Sequence, residues 1–287
     1  MSFVSEVLVD VEGRTLKLTN LEKVLYPDGF TKGQVIDYYS RIAPVLLPHL
    51  KDRAVTRKRY PNGVEGQMFF EKNRPQGTPS WVRTALLPAP GSTKNRDEIE
   101  YVVIDGLPAL VWTANLAALE LHTHQWKVGR KTPDLLVFDL DPGPPASIVE
   151  CCQVALLLRE ELPDLELFPK TSGNKGMQVV AKAPVRDTSS FARDVAERLE
   201  KKNPGLVVSS MTKALRPGKV FVDWSQNNGA KTTVTVYSLR ARDEPTASTP
   251  LTWDEVEACT RSSDLVFLSE DVLFRVEELG DLFAPLL

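Results

Sequence analysis

The 287-residue sequence is poor in the residues that build disulfide frameworks and zinc sites, with only three cysteines and three histidines. Cys151 and Cys152 are adjacent and no Cys-x-x-Cys pair occurs, which argues against a disulfide framework and against a zinc site of the Cys/His kind. The sequence also lacks an N-terminal signal peptide and any run of the roughly 18 apolar residues that a transmembrane helix needs. We therefore expect a protein of the reducing cytoplasm with no membrane partner.

Charge is unevenly distributed along the chain, although the net charge is only −3. From Asp254 onward nine acidic residues stand against two arginines, which gives this segment −7 and leaves +4 for the first 253 residues. Basic residues cluster at 51–59, 127–131 and 213–219. Such clusters can contact phosphates whatever the total charge, but each one alone is more typical of a solvated surface. The composition therefore permits a nucleic-acid partner without establishing one.

Hydrophobic periodicity and turn residues predict a mixed α/β (α+β) fold in one domain over residues 1–287. The predicted strands are a hairpin at 7–18 and segments at 54–60, 67–71, 99–104, 134–141, 165–169, 177–182, 206–209, 219–224 and 232–239. The predicted helices are 31–50, 108–121, 148–162 and 189–202, with an acidic helical segment at about 252–287 on the periphery. The order of the strands does not follow from the sequence.

The most informative pattern is an acidic pair on an otherwise apolar strand, Asp139 and Asp141 in LLVFDLDPG. Residues two apart on a strand share a face, about 6.6 Å apart, and two carboxylates there are costly to desolvate unless a cation or donor compensates them. Asp223 in KVFVDWSQNNG repeats the pattern on a second strand. Three such carboxylates are typical of a site for two divalent cations about 3.5–4 Å apart that carries phosphoryl transfer. One Asp-x-Asp arises easily by chance; two acid-bearing apolar strands favour the metal site.

Other patterns are weak one by one, and each has a structural alternative. The turn TSGNKG at 171–176 can aim backbone N–H groups and a lysine at a triphosphate, although a plain hairpin turn is the commoner explanation. His122, predicted at the end of the helix 108–121, is interpreted as a donor to phosphate or, equally well, as a buried structural histidine. Phe69 and Phe70 are either a platform on which bases stack or two core residues.

A group of polar residues brackets the start of the helix 31–50, namely Asn20, Lys23 and Lys32. Lysines beside a helix N-terminus combine with its dipole to make a phosphate site. The alternative is that they are ordinary surface lysines.

Taken together, these segments resemble a known family, the polymerase domain of bacterial ligase D within the archaeo-eukaryotic primase superfamily. The segments that carry the resemblance are TNLEKVLYP, TRKRYPNG, FFEK, ALELHTHQW, VFDLDPG, TSGNKG, MTKALRPGKVFVDWSQN and YSLRAR, in order from about Thr19 to Arg242. The resemblance implies a primase-type catalytic core with central, mostly antiparallel sheets flanked by helices. It also implies a template-directed nucleotidyltransferase that fills short gaps or ends bearing a downstream 5′-phosphate, in excision-repair gap filling or non-homologous end joining.

The resemblance assigns roles to individual residues. Asp139, Asp141 and Asp223 would be catalytic and would hold two divalent ions, Mn²⁺ or Mg²⁺. The residues implied in binding the incoming NTP or dNTP are Lys58, His122, Ser172, Lys175, Arg216, Gln226 and Arg240. The residues implied in binding the DNA 5′-phosphate are Asn20, Lys23 and Lys32. The residues implied in stacking on DNA are Phe69 and Phe70.

Further expectations come from the resemblance alone. They are gapped or broken double-stranded DNA as a partner, a ribonucleotide preference, a DNA ligase or end-binding protein as a second partner, a monomer, and a place in the bacterial cytoplasm near the nucleoid. The chain departs from the family in having Gln178 where a histidine is usual, and a short connection at 127–134. With no ligase or nuclease segment, we expect a stand-alone relative, although an excised domain would look the same.

Two other functions fit part of the pattern. The carboxylates alone fit a two-metal nuclease, but the TSGNKG turn and the many cations favour nucleotide addition. A non-catalytic module that binds gaps or ends and recruits a ligase would not need three carboxylates, which repel DNA when unpaired. A divalent-cation requirement for activity but not for binding separates an enzyme from such a module.

Overall fold

The computed structural model describes residues 6–88 and 97–287, and these contain six α-helices and thirteen β-strands. The helices are α1 (Lys32–Leu50), α2 (Leu107–Asn115), α3 (Ile148–Glu161), α4 (Thr188–Lys202), α5 (Trp253–Ala258) and α6 (Ser269–Leu279). The strands are β1 (Glu6–Val11), β2 (Arg14–Thr19), β3 (Ala54–Arg59), β4 (Phe69–Glu71), β5 (Thr84–Pro88), β6 (Glu98–Val103), β7 (Ala118–Thr123), β8 (Leu135–Pro142), β9 (Phe168–Thr171), β10 (Met177–Lys182), β11 (Val207–Val208), β12 (Val220–Asp223) and β13 (Thr233–Val234).

The strands form a hairpin and two larger sheets. The five-stranded sheet has the order β11-β12-β8-β10-β9, and the six-stranded sheet has the order β13-β7-β3-β6-β5 with β4 paired to β3. Every strand pair is antiparallel except β11 with β12, within the part of the chain that the structure describes. Mixed helices and mostly antiparallel sheets confirm the predicted fold class.

Strand β8 divides two hydrophobic cores, because its side chains alternate between the faces of the five-stranded sheet. Leu136, Phe138 and Leu140 pack with α3 and α4 in one core. Val137 packs instead in the larger core, which includes Leu121 of the six-stranded sheet and residues of α1 and α2. Asp139 and Asp141 continue the face of Val137, so they lie where the two sheets meet.

The starts of α1 and α3 could be predicted because the residues that cap each helix are close to it in the sequence. Thr31 caps α1 through a capping box with Gln34, and Ser147 caps α3 through a capping box with Glu150. The hairpin turn at Glu12 and Gly13 has positive φ at both residues, 50° and 76°, which suits a two-residue turn of the I′ kind. These three predictions are confirmed.

The predicted helix 108–121 is wrong in its second half, because α2 ends at Asn115 and β7 begins at Ala118. Ala117 between them has a φ of 56°, which no helix continues through. The residues of β7 are buried and pair with both β3 and β13. Tertiary pairing has therefore overridden the helix propensity of an Ala/Leu-rich segment, and His122 lies on a central strand.

The acidic C-terminal segment is helical as predicted but is not peripheral. Val272, Leu273, Phe283 and Leu286 are buried in the larger core. Asp281 accepts hydrogen bonds from the Tyr237 hydroxyl at 2.7 Å and pairs with His49 Nε2 at 2.8 Å. The predicted peripheral position is wrong because it rested on the number of acidic residues, whereas the apolar residues of α6 decide how this helix packs. In the described residues no helix is both long and apolar enough to cross a membrane.

Candidate metal and nucleotide site

Three aspartates from two neighbouring strands form the carboxylate triad Asp139, Asp141 and Asp223. The β12–β8 register places Asp223 directly opposite Asp139, and Asp141 follows two residues later on the same face. One ligand oxygen from each residue lies within 4.8 Å of the others. The structure therefore brings together the three aspartates that the sequence pattern singled out.

Electrostatics show that the protein leaves the triad under-compensated. Burial and the charges of Asp141 and Asp223 raise the pKa of Asp139 to about 7, although Gln178 and Lys170 oppose the rise. Asp141 is exposed as a residue, but burial of its carboxyl group and the charge of Asp223 still raise its pKa. Hard divalent cations prefer such oxygen donors, and binding them would relieve the repulsion. The residues present therefore fit a divalent metal site.

Neighbouring side chains fix the orientation of two of the carboxylates. Asp223 Oδ1 accepts hydrogen bonds from Ser225 N at 3.0 Å and from Ser225 Oγ at 2.5 Å, while Oδ2 accepts one from Gln226 Nε2 at 2.8 Å. Asp139 Oδ1 accepts a hydrogen bond from Gln178 Nε2 at 3.0 Å. Each of these aspartates keeps lone pairs free for a cation.

A row of polar side chains crosses the five-stranded sheet at the level of the triad. Lys170, Gln178, Asp139 and Asp223 are successive cross-strand partners on β9, β10, β8 and β12. Lys170 is buried, its amine donates to Val234 O at 3.0 Å and Ser248 Oγ at 2.6 Å, and burial lowers its pKa to about 7. Sequence reasoning missed Lys170, because nothing in the local sequence shows that it aligns with Asp139.

A cavity of about 220 Å³ opens beside the triad. It is lined by His122, Asp139, Asp141, Ser172, Asn174, Lys175, Gly176, Gln178, Gln226, Thr232, Thr233, Val234 and Arg240. Five of the seven residues predicted to bind nucleotide are in this lining. Lys58 and Arg216 are not, but Arg216 lies close enough to Asp141 to lower its pKa, and Lys58 contacts Glu120 behind the cavity wall.

The TSGNKG turn packs tightly against β8. A Cβ atom on Gly176 would lie 2.1 Å from the Leu140 carbonyl oxygen, and Gly173 adopts a φ of +66°. Both positions therefore require glycine, one for space and one for backbone conformation. Ser172 N donates to Gly176 O at 2.9 Å, which closes the turn and holds Ser172 and Lys175 at the cavity.

Glu120 on β7 is a further residue that sequence reasoning did not single out. Its Oε2 lies 2.9 Å from Lys58 Nζ and 2.8 Å from His122 Nε2, and its Oε1 lies 3.4 Å from Arg240 Nε. Burial lowers the pKa of His122 to about 4, so the neutral ring donates to Glu120. The available signal was a lone carboxylate within the apolar segment ALEL.

The residues predicted to bind a 5′-phosphate are brought together at the start of α1. Lys23 N donates to Asn20 O at 3.1 Å, and Lys32 N donates to Lys23 O at 2.9 Å. Lys23 Nζ contacts Asn62 Oδ1 at 3.0 Å, whereas the buried Lys32 Nζ contacts Thr19 O at 2.5 Å. Burial and the charges of Lys23 and Arg59 lower the pKa of Lys32 to about 8. Lys23, Lys32 and Arg59 are therefore close together here, although the amine of Lys32 points into the protein.

Phe69 and Phe70 are both exposed, with 39% and 50% of their surface accessible. They lie on β4 opposite Arg59 and Lys58 of β3. The alternative that both are core residues is excluded. Their role in stacking stays a prediction.

Comparisons with known proteins place this geometry in context. The sequence model of a family described as LigD, primase-polymerase domain, matches residues 31–283. The multifunctional non-homologous end joining protein LigD of Mycolicibacterium smegmatis is 46% identical over 281 residues, which cover 94% of this chain and 36% of that protein. The bifunctional non-homologous end joining protein LigD of Bacillus subtilis is 30% identical over 273 residues, which cover 92% of this chain and 43% of that protein.

The chain thus spans between about a third and two fifths of the length of these curated relatives. Among solved structures, the polymerase domain from Mycobacterium tuberculosis ligase D in complex with DNA superposes with a TM-score of 0.88 at 41% identity. That similarity covers 94% of this chain and 97% of the solved chain.

Proposed function

The chain belongs to the LigD primase-polymerase domain family, and on that premise we propose that it is a template-directed nucleotidyltransferase of DNA repair, adding nucleotides at short gaps or ends. The observation that carries the proposal is the carboxylate triad, with ligand oxygens within 4.8 Å, opening onto a cavity lined by Lys175, Arg240 and Ser172. Acidic ligands beside a pocket of phosphate-binding donors are the combination that phosphoryl transfer requires.

Asp139, Asp141 and Asp223 are the catalytic metal ligands in this proposal. Two bound divalent ions, Mn²⁺ or Mg²⁺, would activate the primer 3′-hydroxyl and neutralise the pyrophosphate leaving group. The protein orients the ligands through Gln178, Ser225 and Gln226, whose hydrogen bonds hold the Asp139 and Asp223 carboxylates in place. Holding ligands rigidly avoids reorganisation during the reaction.

The donors around the cavity bind the incoming NTP or dNTP. The proposed nucleotide-binding residues are Lys58, His122, Ser172, Lys175, Arg216, Gln226 and Arg240. Lys175 and Ser172 lie on the TSGNKG turn, Arg240 contacts that turn through Ser172 O at 2.6 Å, and His122 lies on β7. Gln226 donates to Asp223 Oδ2 at 2.8 Å, which supports a role for it in contacting the sugar of the nucleotide.

DNA binds, in this proposal, along the edge that carries β4 and the start of α1. Asn20, Lys23 and Lys32 bind the downstream 5′-phosphate, supported by the close backbone contacts between them and by the nearby Arg59. Phe69 and Phe70 stack on bases of the template or the downstream duplex, supported by their exposure beside two basic residues. The solved structure with DNA is that of a similar polymerase domain.

End joining is the proposed pathway, because the curated relatives are named for it. A DNA ligase or end-binding partner, a ribonucleotide preference, a monomeric state and a place near the bacterial nucleoid are further parts of the proposal that follow from the family. A two-metal nuclease and a non-catalytic recruiting module are not favoured, since neither needs a phosphate-donor cavity facing the triad.

The direct test uses a short-gapped duplex with a downstream 5′-phosphate, Mn²⁺, and ribonucleotides or deoxyribonucleotides supplied separately. Wild-type protein is expected to add the nucleotide that the template specifies, and Asp139→Ala is expected to add none. Asp194→Ala, an exposed aspartate on α4, is the matched control and should behave as wild type. Absence of addition by the wild type, together with tight binding to the gap, would replace the proposal with the recruiting module.

A further inference from the structure

Glu120 links the cations of the six-stranded sheet to the turn of the five-stranded sheet. Besides its contacts with Lys58, His122 and Arg240, its Oε1 accepts a hydrogen bond from Ala241 N at 3.2 Å. Its side chain is only 4% exposed. One carboxylate therefore holds groups from β3, from β7 and from the segment 240–241, which follows β13.

Arg240 contacts both Glu120 and the TSGNKG turn. Its Nη1 donates to Ser172 O at 2.6 Å, and its Cγ lies so close to Gly173 that a Cβ there would be 2.7 Å away. The Tyr26 hydroxyl donates to Arg240 O at 3.0 Å and holds the backbone of the same residue. Arg240 thus connects the turn to β7, where its Nε lies 3.4 Å from Glu120 Oε1.

The charges explain why such a carboxylate is needed. Lys58 and Arg240 are both cationic and would repel each other without a carboxylate close to both. Although burial alone would raise the pKa of Glu120, the hydrogen bond from His122 and the charges of Arg240 and Lys58 hold it well below its usual range. Glu120 is therefore ionised, and it keeps these cations on the cavity wall.

We propose that Glu120 is a positioning residue for nucleotide binding, which presents Lys58, His122 and Arg240 to the triphosphate and, through Arg240, sets the distance between β7 and the TSGNKG turn. The identity of the ligand rests on the proposed function; the positioning role rests on the contacts. Glu120 itself neither touches the substrate nor binds a metal in this proposal.

The test compares Glu120→Gln with wild type in two assays. One is equilibrium binding of a fluorescent ribonucleoside triphosphate in the presence of Mn²⁺, and the other is gap filling with separate KM and kcat values. We expect the nucleotide Kd and KM to rise about tenfold to a hundredfold, the size of the loss when a residue that orients a metal ligand is replaced. We expect kcat to change less than threefold, and the affinity for 5′-phosphorylated gapped DNA to stay unchanged.

Asp134→Asn is the matched control. Asp134 forms an ion pair with the buried Arg53 at 2.6 Å, between the start of β8 and the start of β3, so it also links the two sheets but lies away from the cavity. It should lower the melting temperature as Glu120→Gln does, while leaving the nucleotide Kd as in wild type. Equal losses of nucleotide affinity in both variants would reduce Glu120 to a general structural role and overturn the proposal.

If Glu120→Gln does not fold, the double variant with Lys58→Met, which removes the unpaired amine, is compared with Lys58→Met alone. We expect weaker nucleotide binding in the double variant than in Lys58→Met alone, because Arg240 and His122 have also lost the Glu120 carboxylate. Equal affinity in the two would overturn it. A wild type that binds the nucleotide but never adds it to DNA would remove the polymerase function and leave this comparison of affinities intact.

Discussion

Two acidic sites lie in the same cleft, and the protein treats them in opposite ways. The cations near the carboxylate triad, Lys170, Lys175, Arg216 and Arg240, do not offset burial and mutual repulsion, which raise the pKa values of Asp139 and Asp141. Glu120 is also buried, with its side chain 4% exposed, yet its partners lower its pKa well below the usual range. Burial is therefore not what separates the two sites; the partners that surround each carboxylate are.

The difference separates a site built to bind a cation from one that is already paired. A carboxylate with two cations and a histidine around it has little left to offer to a metal ion. Three carboxylates that share a few hydrogen-bond donors repel one another in the metal-free protein. The same three carboxylates are good ligands for a hard divalent cation. The uncompensated triad destabilises the metal-free protein, whereas the paired Glu120 stabilises it. This difference is expected between a functional site and a structural site beside it.

The largest expected effect is the loss of nucleotide addition when a residue of the triad is replaced. Asp223→Asn keeps the shape and an oxygen that accepts from Ser225, but its amide nitrogen cannot accept from Gln226 Nε2, and one of three negative charges is removed. We expect the rate of nucleotide addition to fall on the order of 10³-fold, since metal ions supply several kcal/mol of charge stabilisation. A primer-extension time course at saturating nucleotide measures this, and a loss of less than tenfold would contradict the metal assignment.

Dependence on pH sharpens the comparison. Mn²⁺ must displace a proton from Asp139, whose pKa is raised to about 7, so metal affinity should increase by up to about tenfold per pH unit below pH 7 and level off above it. The raised pKa stabilises the metal-free protein at low pH, and this contribution is lost as the pH rises through about 7. Mn²⁺ should therefore raise the melting temperature more at pH 8 than at pH 6.

The observation that would contradict this is a Mn²⁺ affinity that stays constant between pH 5.5 and 8. Calorimetric titrations in two buffers of different ionisation enthalpy would show whether a proton is released on binding.

A smaller effect is expected from the hydrogen bond that orients Asp139. Gln178→Ala removes the donor at 3.0 Å and should lower Mn²⁺ affinity about tenfold, as is common for partners that orient a metal ligand. Gln178→His restores the side chain that is usual in the family and should recover most of the affinity. If Gln178→Ala binds Mn²⁺ as tightly as wild type, the polar row across the five-stranded sheet has no role in the metal site.

The smallest effect, and the one whose sign is most informative, is on stability without metal. With a chelator at pH 8, Asp139→Asn removes an under-compensated charge and should raise the melting temperature by about 2 °C. Glu120→Gln leaves two cations without their partner and should lower it by several degrees, since breaking a buried pair costs about 3–5 kcal/mol. Thermal unfolding of both variants checks this, and shifts of the same sign would erase the distinction between the two sites.

What the sequence could reveal follows from how local each feature is. The faces of β8, the caps at Thr31 and Ser147 and the turn TSGNKG depend on residues close in the chain, and all of them are where the pattern predicts. Glu120 was missed because its charged partners Lys58 and Arg240 come from distant segments. The boundary between α2 and β7 was misplaced because the pairing of β7 with β3 and β13 decides it, and no local pattern encodes that pairing.

Direct measurement of Mn²⁺ binding, by electron paramagnetic resonance of the free ion at pH 8, tests the central claim that the triad and not Glu120 holds the metal. Wild type and Glu120→Gln should bind Mn²⁺ with the same stoichiometry and with similar affinity, whereas Asp223→Asn should lose most of the bound metal. Full binding by Asp223→Asn, or loss of binding by a folded Glu120→Gln, would contradict the assignment of the two sites.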